Sequence, residues 1–204
     1  MTVLVALVDR GYPADLLAGM AVNFQIAAVA LGLGLALGLP LGLMQLGDGL
    51  QRALVAPSVG LMRVAPTFVV MFFLLNVIPR DASLFGLALS APMIVALSLV
   101  PYAAAYAADN GREAFRQLRV GSADSALLFL PNIARAFFVL VMSSSTGAAI
   151  GVSEGVAVVL REAERWPSLG EKLVVFGIGV LAFGVVFQIG LALMRLLGRR
   201  LARR

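Results

Sequence analysis

The 204-residue chain is 61% hydrophobic and 13% charged, with a net charge of +5 and a mean hydropathy of +0.98. Soluble domains are about 45–50% apolar and about 25% charged, so the composition excludes a soluble protein and indicates an integral membrane protein with one domain. The sequence has no cysteine and no histidine, which excludes disulfides, thiol nucleophiles, a Ser-His triad and the commonest metal ligands.

Five apolar runs follow one another along the chain, and each approaches or exceeds the roughly 20 residues that a membrane-spanning helix needs. The predicted spans cover residues 16–47, 53–79, 84–108, 128–152 and 173–195. The predicted fold is therefore an all-α integral membrane domain over residues 1–204, with five transmembrane helices.

An odd number of spans places the two chain ends on opposite sides of the membrane. Lysine and arginine are enriched in cytoplasmic segments. If the C-terminus is cytoplasmic, that side carries Arg52, Arg63, Arg112, Arg116, Arg119, Arg135, Arg195, Arg199, Arg200, Arg203 and Arg204. The other side carries Arg10, Arg80, Arg161, Arg165 and Lys172. This bias predicts an external N-terminus and a cytoplasmic C-terminus, with residues 109–131 in a cytoplasmic loop and residues 153–172 in an external loop. The basic runs are interpreted as topology signals, and no nucleic acid partner is predicted.

Glycines recur at intervals of four on the first predicted span, at Gly34, Gly38 and Gly42. Small residues let helix backbones approach closely within a membrane. The pattern allows two interpretations, close packing inside one subunit or a seam between two subunits.

Uncharged polar residues are scattered through the apolar runs. Helix-to-helix hydrogen bonds explain most such residues, but some of them could line a pathway for a polar solute. The tentative pathway residues are Asn23, Gln25, Ser143, Ser144, Ser145 and Thr146.

Charge is concentrated between the third and fourth predicted spans, in "DNGREAFRQLRVGSADSALLFLPNIARA". Arg112, Glu113, Arg116 and Arg119 are spaced by three and four, so they can share one face of a short helix. Pro131 is predicted to lie in the first turn of the following helix, where proline is well tolerated. A charged helix at the membrane surface is suited to docking a soluble partner.

These residues resemble a pattern of the permease subunits of binding-protein-dependent ABC importers, in particular the polar amino acid uptake subfamily. That family has a cytoplasmic loop of pattern E-A-A-x3-G-x9-I-x-L-P, which forms the coupling helix to the ATPase. Glu113, Ala114 and Phe115 match its start, and Leu130 and Pro131 match its end. The segments "RVAPTFVVMFFLLNVIP" and "AAIGVSEGVAVVLREA" resemble two further stretches of the family, and the likeness covers most of the chain.

The coupling loop departs from the family pattern in three ways. Phe115 replaces the second alanine, and Gly121 falls eight residues after Glu113 where the pattern has six. From Glu113 to Pro131 the loop is one residue shorter than the pattern, which is about 100° of rotation on a helix. The loop is therefore a degenerate version, which suggests pairing with a second, different permease whose loop is closer to the pattern.

The resemblance implies the type I importer permease fold and a non-catalytic subunit in the inner membrane of a bacterial cell. It implies a second permease subunit, as a heterodimer or a homodimer, in contact with membrane lipid. It also implies two ABC ATPase subunits, which would bind ATP and Mg²⁺, and a periplasmic or extracellular solute-binding protein. No cofactor, metal or catalytic residue is expected in this chain, and the solute would be an amino acid or a related small polar molecule. The predicted ATPase-coupling residues are Arg112, Glu113, Ala114, Phe115, Arg116, Arg119, Gly121, Leu130 and Pro131.

Two other functions are compatible with five apolar spans. One is a secondary transporter or channel that works alone, although such proteins usually carry charged residues within the membrane or inverted repeats. The other is a structural membrane subunit of a different complex, without transport of its own.

Overall fold

The structure is a computed structural model that describes residues 3–79, 82–84 and 87–201. Its first half contains α1 (Val3–Asp9), α2 (Tyr12–Met44), α3 (Leu50–Val64), α4 (Thr67–Val77), β1 (Ser83–Leu84) and β2 (Leu87–Ala88). Its second half contains α5 (Ala91–Arg119), α6 (Ala123–Ala126), α7 (Phe129–Ser143), a 3-10 helix (Ser144–Ile150), α8 (Gly155–Glu164) and α9 (Leu169–Leu201). The two short strands form an antiparallel pair in which Ser83 faces Ala88.

Four helical segments of the described chain are long and apolar enough to cross a membrane: α2, α5, α7 with its 3-10 continuation, and α9 up to Met194. The α3–α4 pair makes a fifth if the bent pair counts as one span. The prediction of a helical protein with several helices able to cross a membrane is confirmed.

The second predicted span, residues 53–79, is bent in the structure. The axes of α3 and α4 differ by 95°, and Ala65 and Pro66 between them have extended backbone. Proline disfavours helical geometry in the residue before it and cannot donate a backbone hydrogen bond. With 11 residues, α4 extends about 16 Å, roughly half of a bilayer core. Arg63 at the end of α3 pairs with Asp109 of α5, which connects α3 to α5 next to the bend.

Contacts between the long helices give their directions. Along α2, Gly34 lies against Ala103 and Gly42 lies against Ala108, so α2 and α5 run parallel. In contrast, α7 runs antiparallel to α5, because Asn132 near its start donates to Asn110 near the end of α5. The chain therefore alternates direction, and residues 109–131 gather at the end of the bundle where α2 finishes. We call this the 109–131 end.

The glycine face of α2 packs inside the chain. A Cβ atom added at Gly34, Gly38 or Gly42 would lie 2.4, 2.3 or 2.4 Å from the nearest atom of α5. Helix α5 therefore occupies this face, which leaves no room there for a second subunit. Of the two interpretations of the glycine spacing, the structure selects packing within one subunit.

The main core lies where α2, α4, α5 and α7 meet. Its most buried members include Ile26, Ala27, Ala30, Met71, Val95, Leu99, Leu140 and Val141. Met71 is completely buried, so α4 is held by this core even though most of its other large side chains are exposed. Most of the large side chains of α9 are exposed, as expected for a helix that faces lipid or another subunit.

A second cluster closes the opposite end of the bundle, where α1, α2, α8 and α9 begin or end. Its polar centre is Glu162, whose side chain is 4% exposed. The carboxyl group of Glu162 accepts from Arg165 at 2.8 Å, from the indole N–H of Trp166 at 3.2 Å and from Arg10 at 3.4 Å. Arg10 also lies over the Trp166 ring, 4.9 Å from its centroid. This cluster joins the start of the chain to the segment after α8.

Replacing Glu162 with leucine should loosen this end and expose Trp166. The indole N–H and two guanidinium groups would lose their shared acceptor, and buried donors left without partners are costly. Since Trp166 is the single tryptophan of the chain, its fluorescence reports this site alone, and the emission maximum should move to longer wavelength. The exposed neighbour Glu164 is the control, and Glu164→Leu should leave the emission unchanged. Equal spectra for the two variants would contradict the proposed arrangement.

Candidate functional site

The charged segment after residue 108 does not start a separate element. Residues 109–119 continue α5 without a break, whereas a loop with its own short helix was predicted. The helix ends at Arg119, and Gly121, two residues later, has a φ of 78°. The amide of Ser122 donates to the carbonyl of Gln117, and that of Gly121 donates to Leu118, which is the Schellman arrangement that glycine favours. The glycine that is displaced from the family pattern is the one that terminates this helix.

The charged side chains of this segment are partly paired with one another. Glu113 accepts from Arg116 at 2.9 Å and from Gln117 at 2.7 Å. Arg112 turns toward α2, where it donates to Gln45 at 3.1 Å. Arg119 is exposed. The predicted common face is therefore divided between a solvent-facing pair and a contact to α2.

An apolar groove of about 390 Å³ lies between the end of α5 and the start of α7. Its lining residues are Leu39, Gly111, Ala114, Phe115, Leu118, Ala123, Ala126, Leu127, Phe129 and Leu130. Leu118 and Leu130 are more than half exposed, and Pro131 lies in the first turn of α7. The 109–131 end therefore carries an apolar groove next to the charged side chains of α5.

Two of the tentative pathway residues, Asn23 and Ser144, form a buried polar site instead of an open surface. Both are 0% exposed. The side-chain amide of Asn23 donates to the hydroxyl of Ser144 at 2.8 Å, and the Ser144 hydroxyl donates to the carbonyl of Val141 at 2.7 Å. Their polar atoms are therefore occupied within the chain.

The centre of this buried site is Glu154, which is also 0% exposed. Its carboxyl group accepts from Asn23 at 2.8 Å and from the backbone amides of Val156 at 3.0 Å and Ala157 at 2.8 Å. The oxygen of Asn23 accepts from the amide of Gly155 at 2.9 Å. Glu154 thus caps the N-terminus of α8, and Asn23 ties that cap to α2. An acidic group at a helix N-terminus also interacts favourably with the helix dipole.

The other tentative pathway residues are more accessible. Gln25 is exposed on α2, and Ser143, Ser145 and Thr146 are partly buried around the start of the 3-10 helix. The hydroxyl of Thr146 donates to the carbonyl of Ser143, and Ser145 lies 3.5 Å from the Asn23 amide. Of the six tentative pathway residues, Asn23 and Ser144 are therefore fully buried, and the other four are at least partly exposed.

Sequence reasoning gave no place in a site to two buried polar residues, Glu154 and Gln45. Glu154 was assigned to an external loop, and Gln45, which is 5% exposed, received no role. The sequence indicated Glu154 only indirectly. Asn23 lies in an uncharged run, and a buried asparagine needs a hydrogen-bonding partner.

Neither a protein-family model nor a curated protein matches the chain. The fold, in contrast, has a clear counterpart among solved structures. It is similar to a chain in the crystal structure of an amino acid ABC transporter with histidines, with a TM-score of 0.69. The match covers 95% of this chain and 97% of that chain, at 15% sequence identity. The protein therefore has the fold of a chain of an amino acid ABC transporter.

Proposed function

We propose that the protein is the membrane permease subunit of an ATP-driven ABC importer for a small polar solute, an amino acid or a derivative of one. The observation that carries this proposal is the likeness in fold to a chain of an amino acid ABC transporter over nearly the whole length of both chains. With a TM-score of 0.69 over 95% of this chain, the likeness is one of overall fold.

In this proposal the 109–131 end is cytoplasmic and receives the ATPase. The apolar groove beside Phe115 and the exposed Glu113–Arg116 pair would contact a nucleotide-binding subunit, which supplies ATP and Mg²⁺. Two permeases would form the pathway between them, with Gln25, Ser143, Ser145 and Thr146 as candidates to face the solute. A solute-binding protein would dock at the opposite, external end of a bacterial inner-membrane complex.

Reconstitution separates this function from its alternatives. Uptake into liposomes should require ATP, an ATPase subunit and a binding protein, all at once. A secondary transporter or channel would move solute without ATP, and a purely structural subunit would move none under any condition. Either of those results would contradict the proposal.

A double variant tests the coupling surface. Glu113→Arg with Phe115→Asp reverses one charge and places a carboxylate in the apolar groove, so the ATPase contact should fail. We expect uptake to fall at least about tenfold, the effect of losing about 1.4 kcal/mol of coupling, while membrane assembly and ATP hydrolysis persist. Asp48→Arg is the matched control, because Asp48 is exposed at the same end and outside the groove. Unchanged uptake in the double variant would refute the assignment of these residues.

The shortened coupling loop suggests a heterodimer with a second permease. Purification of the active complex through a tag on this chain should then recover two permease species in equal amounts. Recovery of this chain alone in a complex that transports would show a homodimer.

A further inference from the structure

A second cleft at the 109–131 end differs in chemistry from the apolar groove. It has a volume of about 390 Å³ and lies where α2 ends, α3 begins and α5 passes. Its lining residues are Gln45, Leu46, Arg52, Arg112, Glu113 and Arg116. Three guanidinium groups therefore surround one carboxylate, which leaves the cleft with a net positive charge.

Gln45 is the buried polar group of this cleft. Its side-chain oxygen accepts from Arg112, which fixes the orientation of the amide. The amide nitrogen of Gln45 is buried and has no hydrogen-bond partner among the described residues. A buried donor without an acceptor costs about 1–3 kcal/mol, so an external acceptor that reached this nitrogen would be stabilised.

The arginines supply further donors. The carboxyl group of Glu113 is already engaged by Arg116 and Gln117, which weakens its repulsion of an anion. Arg112 uses one N–H group on Gln45, and a guanidinium has five. Arg52 is exposed and makes no ion pair within the described part of the chain. Arginine forks match the geometry of phosphate oxygens better than other side chains do.

We propose that this cleft binds a phosphate oxyanion, with the Gln45 amide and the guanidinium groups of Arg52 and Arg112 as its donors. The ligand is the headgroup of an anionic phospholipid or a soluble phosphate. The position of the cleft is compatible with a lipid, because the apolar helix α2 ends beside it and exposed Leu50 and Leu54 of α3 can contact acyl chains. Arg112, Glu113 and Arg116 of this cleft are also among the predicted ATPase-coupling residues. The test below measures ligand binding and not transport, so its failure is distinguishable from failure of the proposed function.

The test uses the full chain, with any subunits that copurify, in phosphatidylcholine nanodiscs. The midpoint of thermal unfolding is followed by Trp166 fluorescence. In one arm phosphatidylglycerol replaces part of the lipid, and in the other inorganic phosphate is added at constant ionic strength. Binding should raise the midpoint by about 2–4 °C in at least one arm.

Arg52→Gln should abolish most of that rise, and since Arg52 is exposed and unpaired among the described residues, the variant should fold normally. Arg119→Gln is the matched control, because it removes the same charge from the same end outside the cleft and should keep the rise. A rise with phosphatidylglycerol alone identifies a lipid headgroup, and a rise with inorganic phosphate identifies a soluble ligand. No rise in either arm, or an equal loss in Arg119→Gln, would overturn the proposal.

Discussion

Replacing Gly38 with alanine adds one methyl group and should strongly destabilise the fold. The added Cβ would lie 2.3 Å from the carbonyl oxygen of Ala104 and 2.7 Å from the Cβ of Ala107. Both atoms belong to a rigid helix, so α2 and α5 would have to separate. Overpacking of a tight interior typically costs 1–3 kcal/mol, occasionally more. We therefore expect the midpoint of thermal unfolding to fall by about 4 °C or more.

Gly32 provides a matched control on the same helix. A Cβ at Gly32 meets no atom within 4 Å, and alanine is a better helix former than glycine by about 1 kcal/mol. Gly32→Ala should therefore be neutral or slightly stabilising. If the two alanine variants unfold at the same temperature, the close approach of α2 and α5 is incorrect.

Glu154→Ala is the second substitution with a large expected effect. The change removes the cap of α8, which is typically worth about 1 kcal/mol. It also removes an acceptor of the buried side-chain amide of Asn23, at about 1–3 kcal/mol for a buried donor. We expect a loss of about 2–4 kcal/mol, measured as earlier thermal unfolding of the purified protein. Glu164→Ala, at an exposed site on the same helix, should leave the midpoint of thermal unfolding nearly unchanged.

A double-mutant cycle distinguishes the buried network from a simple cap. Asn23→Ala alone should also destabilise, since it leaves the amide of Gly155 without an acceptor. Because Asn23 and Glu154 bond directly, the double variant should lose less than the two single losses added together, by about 0.5–3 kcal/mol. Strict additivity would show that the two residues act independently.

A hydropathy average does not detect the bend at Ala65–Pro66 in the second predicted span. Residues 53–79 form a continuous apolar run apart from Arg63, so a window average predicts one straight span. Three conditions accompany the bend at Ala65–Pro66: extended local backbone, the burial of Met71 in the core and the ion pair between Arg63 and Asp109. The last two conditions are contacts across the fold, and no local pattern contains them.

In the charged segment, residues 109–119, the local sequence pattern likewise leaves the structure undecided. Spacing correctly indicated helical residues at 112–119, but a continuous α5 and a separate surface helix have the same local pattern. Tertiary contacts discriminate between them, because Gly111 lies against Leu39 of α2 and Arg112 reaches Gln45. These contacts hold residues 109–119 in line with the apolar part of α5.

Composition and apolar run length by themselves predicted a helical membrane protein with five spans, because the bilayer imposes both requirements on any spanning helix. The described residues contain four helical segments of this kind, or five if the bent pair α3–α4 counts as one span. Composition and run length do not predict which residues the small and polar side chains contact. Only the tertiary structure decided that Gly34, Gly38 and Gly42 face α5 of the same chain, and that Asn23 meets Glu154 from 131 residues away. Side-chain partners distant in sequence are selected by how whole helices pack, and that depends on all the contacting surfaces together.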